Sequence, residues 1–368
     1  MKEKQNDLFT IGIIAVILLV VSVADLFAGF GEKSQGNSHI WEGIRMADLA
    51  DSNFYERVEE SVEEGFFRKR KWTAVKKQID RIAGQKEIEG ICFGKKGTYL
   101  EHHLPEDYPE TTMSESLAYI EGLTQRYDAR VMLVPTADCI WESRLPAYAE
   151  SFDQKAYLER VKMYAGQRYV DVLSVLLAHA EEELYYHTDP HLTMLAASYA
   201  YGAWWDGSGK RYPYFYRTED FRRVPANFVG VYRTRIGREM KPESMYVIED
   251  RLDKYVTVCY DGGKIKEGYY RAEYLTDEDP YAYYLGKDFG IACVDTGFLR
   301  RESLIILGDS YANVLVPLFA PYYRTIYLIN TAEYEGDIEA FLQEQTEQEK
   351  TEVLILQSVT GYLENFRK

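Results

Sequence analysis

The chain is short of cysteine, histidine and positive charge. Four cysteines stand among 368 residues, at positions 92, 139, 259 and 293, and no two form a Cys-x-x-Cys pair. A zinc ribbon or a thioredoxin-like motif is therefore not expected, and no metal or cofactor is called for by spacing. Each cysteine lies in an apolar, strand-like run, so buried free thiols and disulfides are both open readings. Basic residues number 43 against 59 acidic ones, a net charge of −16. That deficit argues against a nucleic-acid binder, which needs clustered Lys and Arg to meet phosphate. The one dense basic tract, Arg68-Lys69-Arg70-Lys71, reads as a solvated helix face. Internal repeats are absent. A hydrophobic share of 46% with 28% charged residues excludes wholesale disorder.

Tyrosine is what the chain has in excess: 32 residues, against 16 Phe and 5 Trp. A tyrosine joins a flat apolar face to a hydroxyl, which serves core packing and sugar-facing surfaces equally. Tyr281, Tyr283 and Tyr284 fit either a groove or a core. Tyr212, Tyr214, Tyr216 and Trp204 are candidates for a glycan platform.

The N-terminus carries the longest apolar run. Residues 8–24, LFTIGIIAVILLVVSVA, hold no charge, and with 26–30 around Asp25 the stretch 8–30 is just long enough to span a bilayer, which takes about 20 apolar residues. A cleaved signal peptide is the competing reading, but Val21, Val23 and Asp25 fit poorly around a small-residue cleavage site. We expect a cytoplasmic stub at 1–7, a signal anchor at 8–30 and a linker with a charged helical stalk at 31–85. The bulk of the chain is then expected outside the cytoplasm, on a single-pass cell-membrane protein.

From residue 86 to 368 strand-like and helix-like segments alternate. EIEGICFGKKGTYLE reads as a hairpin around Gly-Lys-Lys-Gly. SESLAYIEGLTQRYD (114–128), FDQKAYLERVKMYAG (152–166) and MLAASYAYGAWWDG (194–207) have helical spacing. ARVMLVPTAD (129–138) fits a buried strand, and VDVLSVLLAH reads as strand-like or buried. The stretch at about 208–298, with FVGVYRTRIG and YVTVCYDGGKIKEGYY, alternates like strands and reads as a β-rich insertion. Strand, turn, helix and strand return in SLIILGDSYANVLVPLFAPYYRTIYLIN, and DIEAFLQEQ and TEVLILQSV add a helix and a strand. Such alternation at both ends predicts an α/β domain with a largely parallel sheet.

Within it, Gly308-Asp309-Ser310 follows the apolar run Leu304-Ile305-Ile306-Leu307. A serine there falls at the carboxyl edge of a parallel sheet, where open α/β folds carry their sites. The pattern is not Gly-x-Ser-x-Gly, so an ordinary α/β-hydrolase elbow is not indicated; Gly-Asp-Ser is also a common turn or N-cap. A nucleophilic serine needs a base and the base a carboxylate, and the chain has only 6 histidines. Two lie in Tyr186-His187-Thr188-Asp189-Pro190-His191. Asp189 and His191, two apart in a stretch that Pro190 keeps extended, share a side. The stretch therefore supports a triad, a metal cluster of His187, Asp189 and His191, or an exposed loop with an incidental pair. Asn313, one helical turn past Ser310, is a candidate oxyanion donor or plain helix surface.

These segments, taken in order across roughly residues 50–365, resemble the DHHW proteins and the SGNH-hydrolase-like proteins of alginate O-acetylation. The match runs through GICFGKKGTYLE, VMLVPTAD, FDQ at 152–154, YHTDPHLT, FVGVYRTRIG and LGDSYANVLVPLFAPYY. In these relatives an Asp-x-His motif precedes Gly-Asp-Ser, the reverse of ordinary SGNH hydrolases. The resemblance implies an SGNH-like, flavodoxin-like three-layer domain of permuted motif order, with Ser310 as nucleophile, His191 as base and Asp189 as orienting acid. It further implies acetyl transfer to an exopolysaccharide or cell-wall glycan, with a multi-pass membrane acyltransferase of MBOAT type as donor and no cofactor. The family's Asp-His-His-Trp is Asp189-Pro190-His191-Leu192 here, which loses the second His and the Trp. Trp204 and Trp205 are candidates to replace that aromatic surface. An acetyl-esterase and a non-catalytic glycan-binding protein are the rival readings.

Overall fold

A computed structural model describes residues 87–146, 149–206, 216–248, 253–297, 302–348 and 350–365. The chain divides between Gln85 and Lys86 into two units, and the described residues belong to the second. The stub, anchor and stalk at 1–85, with Tyr212 and Tyr214, lie outside them. Among the described residues no helix is long and apolar enough to cross a membrane.

In chain order the elements are β1 (Glu87–Ile88), β2 (Ile91–Phe93), β3 (Tyr99–Glu101), α1 (Glu110–Tyr127), β4 (Arg130–Val134), α2 (Ala137–Ile140), α3 (Gln154–Ala165), α4 (Val172–Ala178) and α5 (Met194–Asp206). There follow β5 (Phe221–Arg223), α6 (Tyr232–Ile236), β6 (Tyr246–Ile248), β7 (Thr257–Tyr260), β8 (Lys264–Glu267) and β9 (Ile291–Asp295). The chain closes with β10 (Ser303–Gly308), α7 (Ser310–Asn313), α8 (Val316–Phe319), β11 (Thr325–Asn330), α9 (Ile338–Gln348), β12 (Thr351–Ser358) and α10 (Val359–Asn365).

The central sheet has seven strands in the order β4-β12-β10-β11-β9-β7-β8. β4, β12, β10 and β11 run parallel. β4 and β10 are buried along their whole length, as parallel strands covered on both faces must be. Each fully buried Leu, Ile or Val there contributes about 1.5–3 kcal/mol. A mixed α/β architecture with a mostly parallel core fits an SGNH-like fold.

Three expectations are corrected. β7, β8 and β9 are no separate excursion: β9 pairs antiparallel with β11, and β7 with β9, so the presumed insertion extends the central sheet. FVGVYRTRIG is not a strand. Its alternation stops at Gly230, and Tyr232–Ile236 form a helix that ends at Gly237 in the left-handed region (φ 66°). Tyr232 and Ile236, one helical turn apart, are buried against Ile88, Ile91 and Met240, and that tertiary contact overrides β propensity. VDVLSVLLAH is helical because Asp171 caps it, its carboxylate accepting from Ser174 N at 3.1 Å. The four cysteines are free thiols; Cys259 and Cys293 face each other as register partners on β7 and β9.

Candidate active site

Ser310 follows directly on β10. Gly308 closes that strand because nothing larger fits: a side-chain carbon there would lie 2.6 Å from Leu328 Cδ1 and 3.0 Å from Ala312 Cβ. The carboxylate of Asp309 accepts from Tyr311 N, capping α7, and from Ser358 N and Oγ, all at 2.9 Å. It thereby ties the end of β10 to the end of β12. Burial pushes the Asp309 carboxyl above its usual range, against the pull of these hydrogen bonds and of His191. Ser310 is left exposed at the carboxyl edge of the sheet.

The partner loop is clamped at its base, where Tyr185 and Leu192 pair as an antiparallel bridge. Between them Asp189 makes an Asx turn: its Oδ1 accepts from His191 N at 3.1 Å and from His191 Nδ1 at 2.5 Å. The bend that an extended reading of Asp-Pro-His leaves undetermined is this turn. His191 Nε2 stands 2.7 Å from Ser310 Oγ. With Nδ1–H given to Asp189, Nε2 accepts the serine proton, the tautomer a general base requires. Two tyrosines hold the imidazole. Tyr281 stacks on it with centroids 4.0 Å apart and planes 9° apart, its hydroxyl donating to Leu192 O at 3.3 Å. Tyr311 tilts against it with centroids 5.2 Å apart and donates to Pro190 O at 2.7 Å. Burial alone would lower the His191 pKa. The charge and hydrogen bond of Asp189, with the charges of Asp279 and Asp309, outweigh it, and the net shift is upward.

Asp189 is anchored from behind. Its Oδ2 accepts from Val231 N at 3.2 Å, while Gly230 N donates to Thr188 Oγ1 at 3.0 Å. Glu243 grips the same loop, accepting from His187 N at 2.7 Å, Thr188 N at 2.9 Å and Thr188 Oγ1 at 2.6 Å. A methyl group on residue 230 would sit 2.3 Å from Asp189 Cβ and 2.4 Å from Asp189 Oδ2. Gly230→Ala therefore displaces the carboxylate. A shift near 1 Å is worth about 10²-fold in turnover, so Ser310-dependent ester hydrolysis is expected to fall by about that factor, read as kcat. Full activity in this variant would show that Asp189 need not be held there.

The structure brings Ser310, His191 and Asp189 into one hydrogen-bonded chain and disperses other candidates. His187 turns away, its Nε2 2.6 Å from Glu183, so no metal cluster forms with Asp189 and His191. Asn313 lines the Ser310 cleft, with Nδ2 donating to Gly286 O at 3.1 Å. Trp204 lies in the core, edge-on to Trp205 and Phe319 and beneath Arg130, which corrects its reading as a substrate surface. Its bulk is more favourably spent on apolar burial. Tyr216 packs edge-on against Tyr201. Tyr281, Tyr283 and Tyr284 are buried. Sequence reasoning missed Gly230, Glu243 and Tyr281 as supports of the triad. Only the Gly-rich break in FVGVYRTRIG signalled any of them.

Ser310 and His191 open on a cleft of about 210 Å³ shared with Asp279, Asp288, Asp309, Glu333, Asn330 and Lys287. Asp279 Oδ1 is buried in its wall with no hydrogen-bond partner, and burial pushes that carboxyl upward. A larger cavity of about 900 Å³, lined by residues 183, 185–188 and 239–244 among others, contains no member of the triad.

An exposed serine, an imidazole and a buried carboxylate thus form one hydrogen-bonded chain at the carboxyl edge of the parallel strands. No family model matches the chain, and no curated protein does. Among solved structures, the chain shares its fold with a DHHW family protein from Eubacterium siraeum. The TM-score is 0.61 at 19% identity, over 76% of this chain and 96% of that one. It also shares it with Bacillus cereus PatB1, in a structure with a sulfonyl adduct (TM-score 0.58, 17% identity, 72% of this chain and 94% of that one) and in a second structure of PatB1 (0.57, 17%, 74% and 96%). At these identities the likeness is one of fold.

Proposed function

We propose that the chain is a membrane-anchored, extracytoplasmic O-acyltransferase that moves acetyl groups onto a glycan hydroxyl through an acyl-Ser310 intermediate. The observation that carries this reading is the unbroken chain from Ser310 Oγ through His191 to Asp189 at the mouth of a small cleft. As Oγ attacks the acyl carbonyl, His191 takes its proton; when the tetrahedral intermediate collapses, His191 returns that proton to the departing donor. The acceptor hydroxyl then attacks the acyl-serine with His191 again as base, and Ser310 regains its proton. An amide carries two N–H donors. The one that Asn313 does not give to Gly286 serves the oxyanion.

About 210 Å³ suits a short acyl group and the edge of one sugar. The unpartnered Asp279 Oδ1 supplies an acceptor for a sugar hydroxyl. Asp279, Asp288, Asp309 and Glu333 outnumber Lys287 around the cleft, which favours a neutral glycan over an anionic one. The run at 8–30 holds the domain at the membrane, beside a multi-pass acyltransferase of MBOAT type that delivers the acetyl group.

The test is to incubate the full-length chain in detergent with p-nitrophenyl acetate and neutral cell-wall oligosaccharides, following acetylated sugar by mass spectrometry. Acetylated oligosaccharide is expected, with fluorophosphonate labelling at Ser310. Acetate release without transfer would make the protein an esterase. Glycan binding with neither turnover nor labelling would make it a binding protein.

A further inference from the structure

Away from the triad, Glu87, Cys92 and His102 bring one carboxylate oxygen, one thiol and one imidazole nitrogen within 4.8 Å of one another. The small sheet of β1, β2 and β3 places them. Glu87 and Cys92 are register partners across β1 and β2, and Cys92 pairs with Leu100 on β3, two residues before His102. Alternation then sends all three side chains to one face. Cys92 is fully buried, and the side chains of His102 and Glu87 are 8% and 35% exposed.

The hydrogen bonds at His102 fix its orientation in this cluster. Its Nε2 is 2.8 Å from Glu150 O, a carbonyl that can only accept, so Nε2 carries the ring proton. Nδ1, the inner nitrogen, faces Glu87 Oε2 at 3.0 Å, and that oxygen also accepts from the Cys92 thiol at 3.4 Å. A histidine whose outer nitrogen donates to a backbone carbonyl while its inner nitrogen meets a carboxylate and a thiol has the orientation of a metal ligand.

We propose that Glu87 Oε2, Cys92 Sγ and His102 Nδ1 bind a single divalent zinc-like ion that clasps the three strands together. The donor set of sulfur, imidazole nitrogen and oxygen is one that Zn²⁺ accepts. Thiolate and carboxylate together cancel its charge, so the buried site stays neutral. Zinc bond lengths at tetrahedral angles give ligand separations of about 3.6 Å for sulfur to oxygen and about 3.4 Å for nitrogen to oxygen. The observed 3.4 Å and 3.0 Å lie within a few tenths of an ångström of these. A fourth position remains for water. Binding releases the Cys92 proton, which passes to solvent.

The full-length chain is titrated with Co²⁺ alone, a spectroscopic stand-in for Zn²⁺. One equivalent should bind with a thiolate-to-cobalt charge-transfer band in the near ultraviolet, displaced by added Zn²⁺. Cys92→Ser should abolish the band, and Cys259→Ser should leave it intact. His102→Ala and Glu87→Gln should each weaken binding at least about tenfold. These two alter partly exposed side chains, so they remain informative if Cys92→Ser fails to fold, which circular dichroism reports. Absence of the band would overturn the proposal and leave a hydrogen-bonded Glu87–His102 pair. Unchanged affinity in both His102→Ala and Glu87→Gln would overturn it equally.

Discussion

Ser310→Ala is expected to lower acyl transfer by about 10⁴–10⁶-fold, because the alanine removes the nucleophile and leaves only binding and oxyanion stabilisation. The measurement is kcat for p-nitrophenyl acetate together with the yield of acetylated oligosaccharide. Ser310 is exposed, and its hydroxyl is hydrogen-bonded to His191. Stability should therefore stay within about 0.5 kcal/mol of wild type, and the thermal midpoint separates lost chemistry from lost fold. Residual turnover within tenfold of wild type would remove Ser310 from the mechanism. Fluorophosphonate labelling must vanish in the same variant.

Asp189→Asn is expected to cost about 10⁴-fold, the order seen when a triad carboxylate becomes an amide. Asp189 accepts from His191 N, His191 Nδ1 and Val231 N. An amide offers one acceptor oxygen, and its NH₂ would confront a donor, which drives the imidazole to the wrong tautomer. The pH profile carries a second signature. His191 must be neutral to accept the serine proton, and its pKa lies above the usual 6.5. In wild type, kcat/KM should therefore rise with pH through an inflection above that value. In Asp189→Asn the largest charge holding the imidazolium is gone and burial acts with less opposition, so the acid limb should move to lower pH. A profile whose limb stays fixed while the rate falls would show that another group is the base.

How far the sequence carries such expectations depends on the range of the interaction involved. Asp189, His191 and Ser310 are named by short motifs whose geometry is local: an Asx turn two residues long and a strand followed by a capped helical turn. Gly230 is different. Its role is to let Asp189 approach, and the two are 41 positions apart in the chain. Tyr281 backs His191 from a third segment and Glu243 holds His187 and Thr188 from a fourth, and neither bears a mark that separates it from other tyrosines and glutamates. Trp204 shows the opposite error, an aromatic residue read as surface that the core consumes. The Glu87, Cys92 and His102 cluster escapes cysteine spacing rules altogether, because its members come from two strands and the residue that follows a third.

By itself the sequence determined the alternating α/β plan, the buried parallel strands and the order of Asp-x-His before Gly-Asp-Ser, since period-two and period-3.6 patterning and turn chemistry act between near neighbours. The tertiary structure alone decided that β7, β8 and β9 extend the central sheet, that 232–236 is helical, and that His191 meets Ser310 across 119 positions of chain. Those outcomes follow from which distant surfaces exclude water together, and no local pattern encodes that choice.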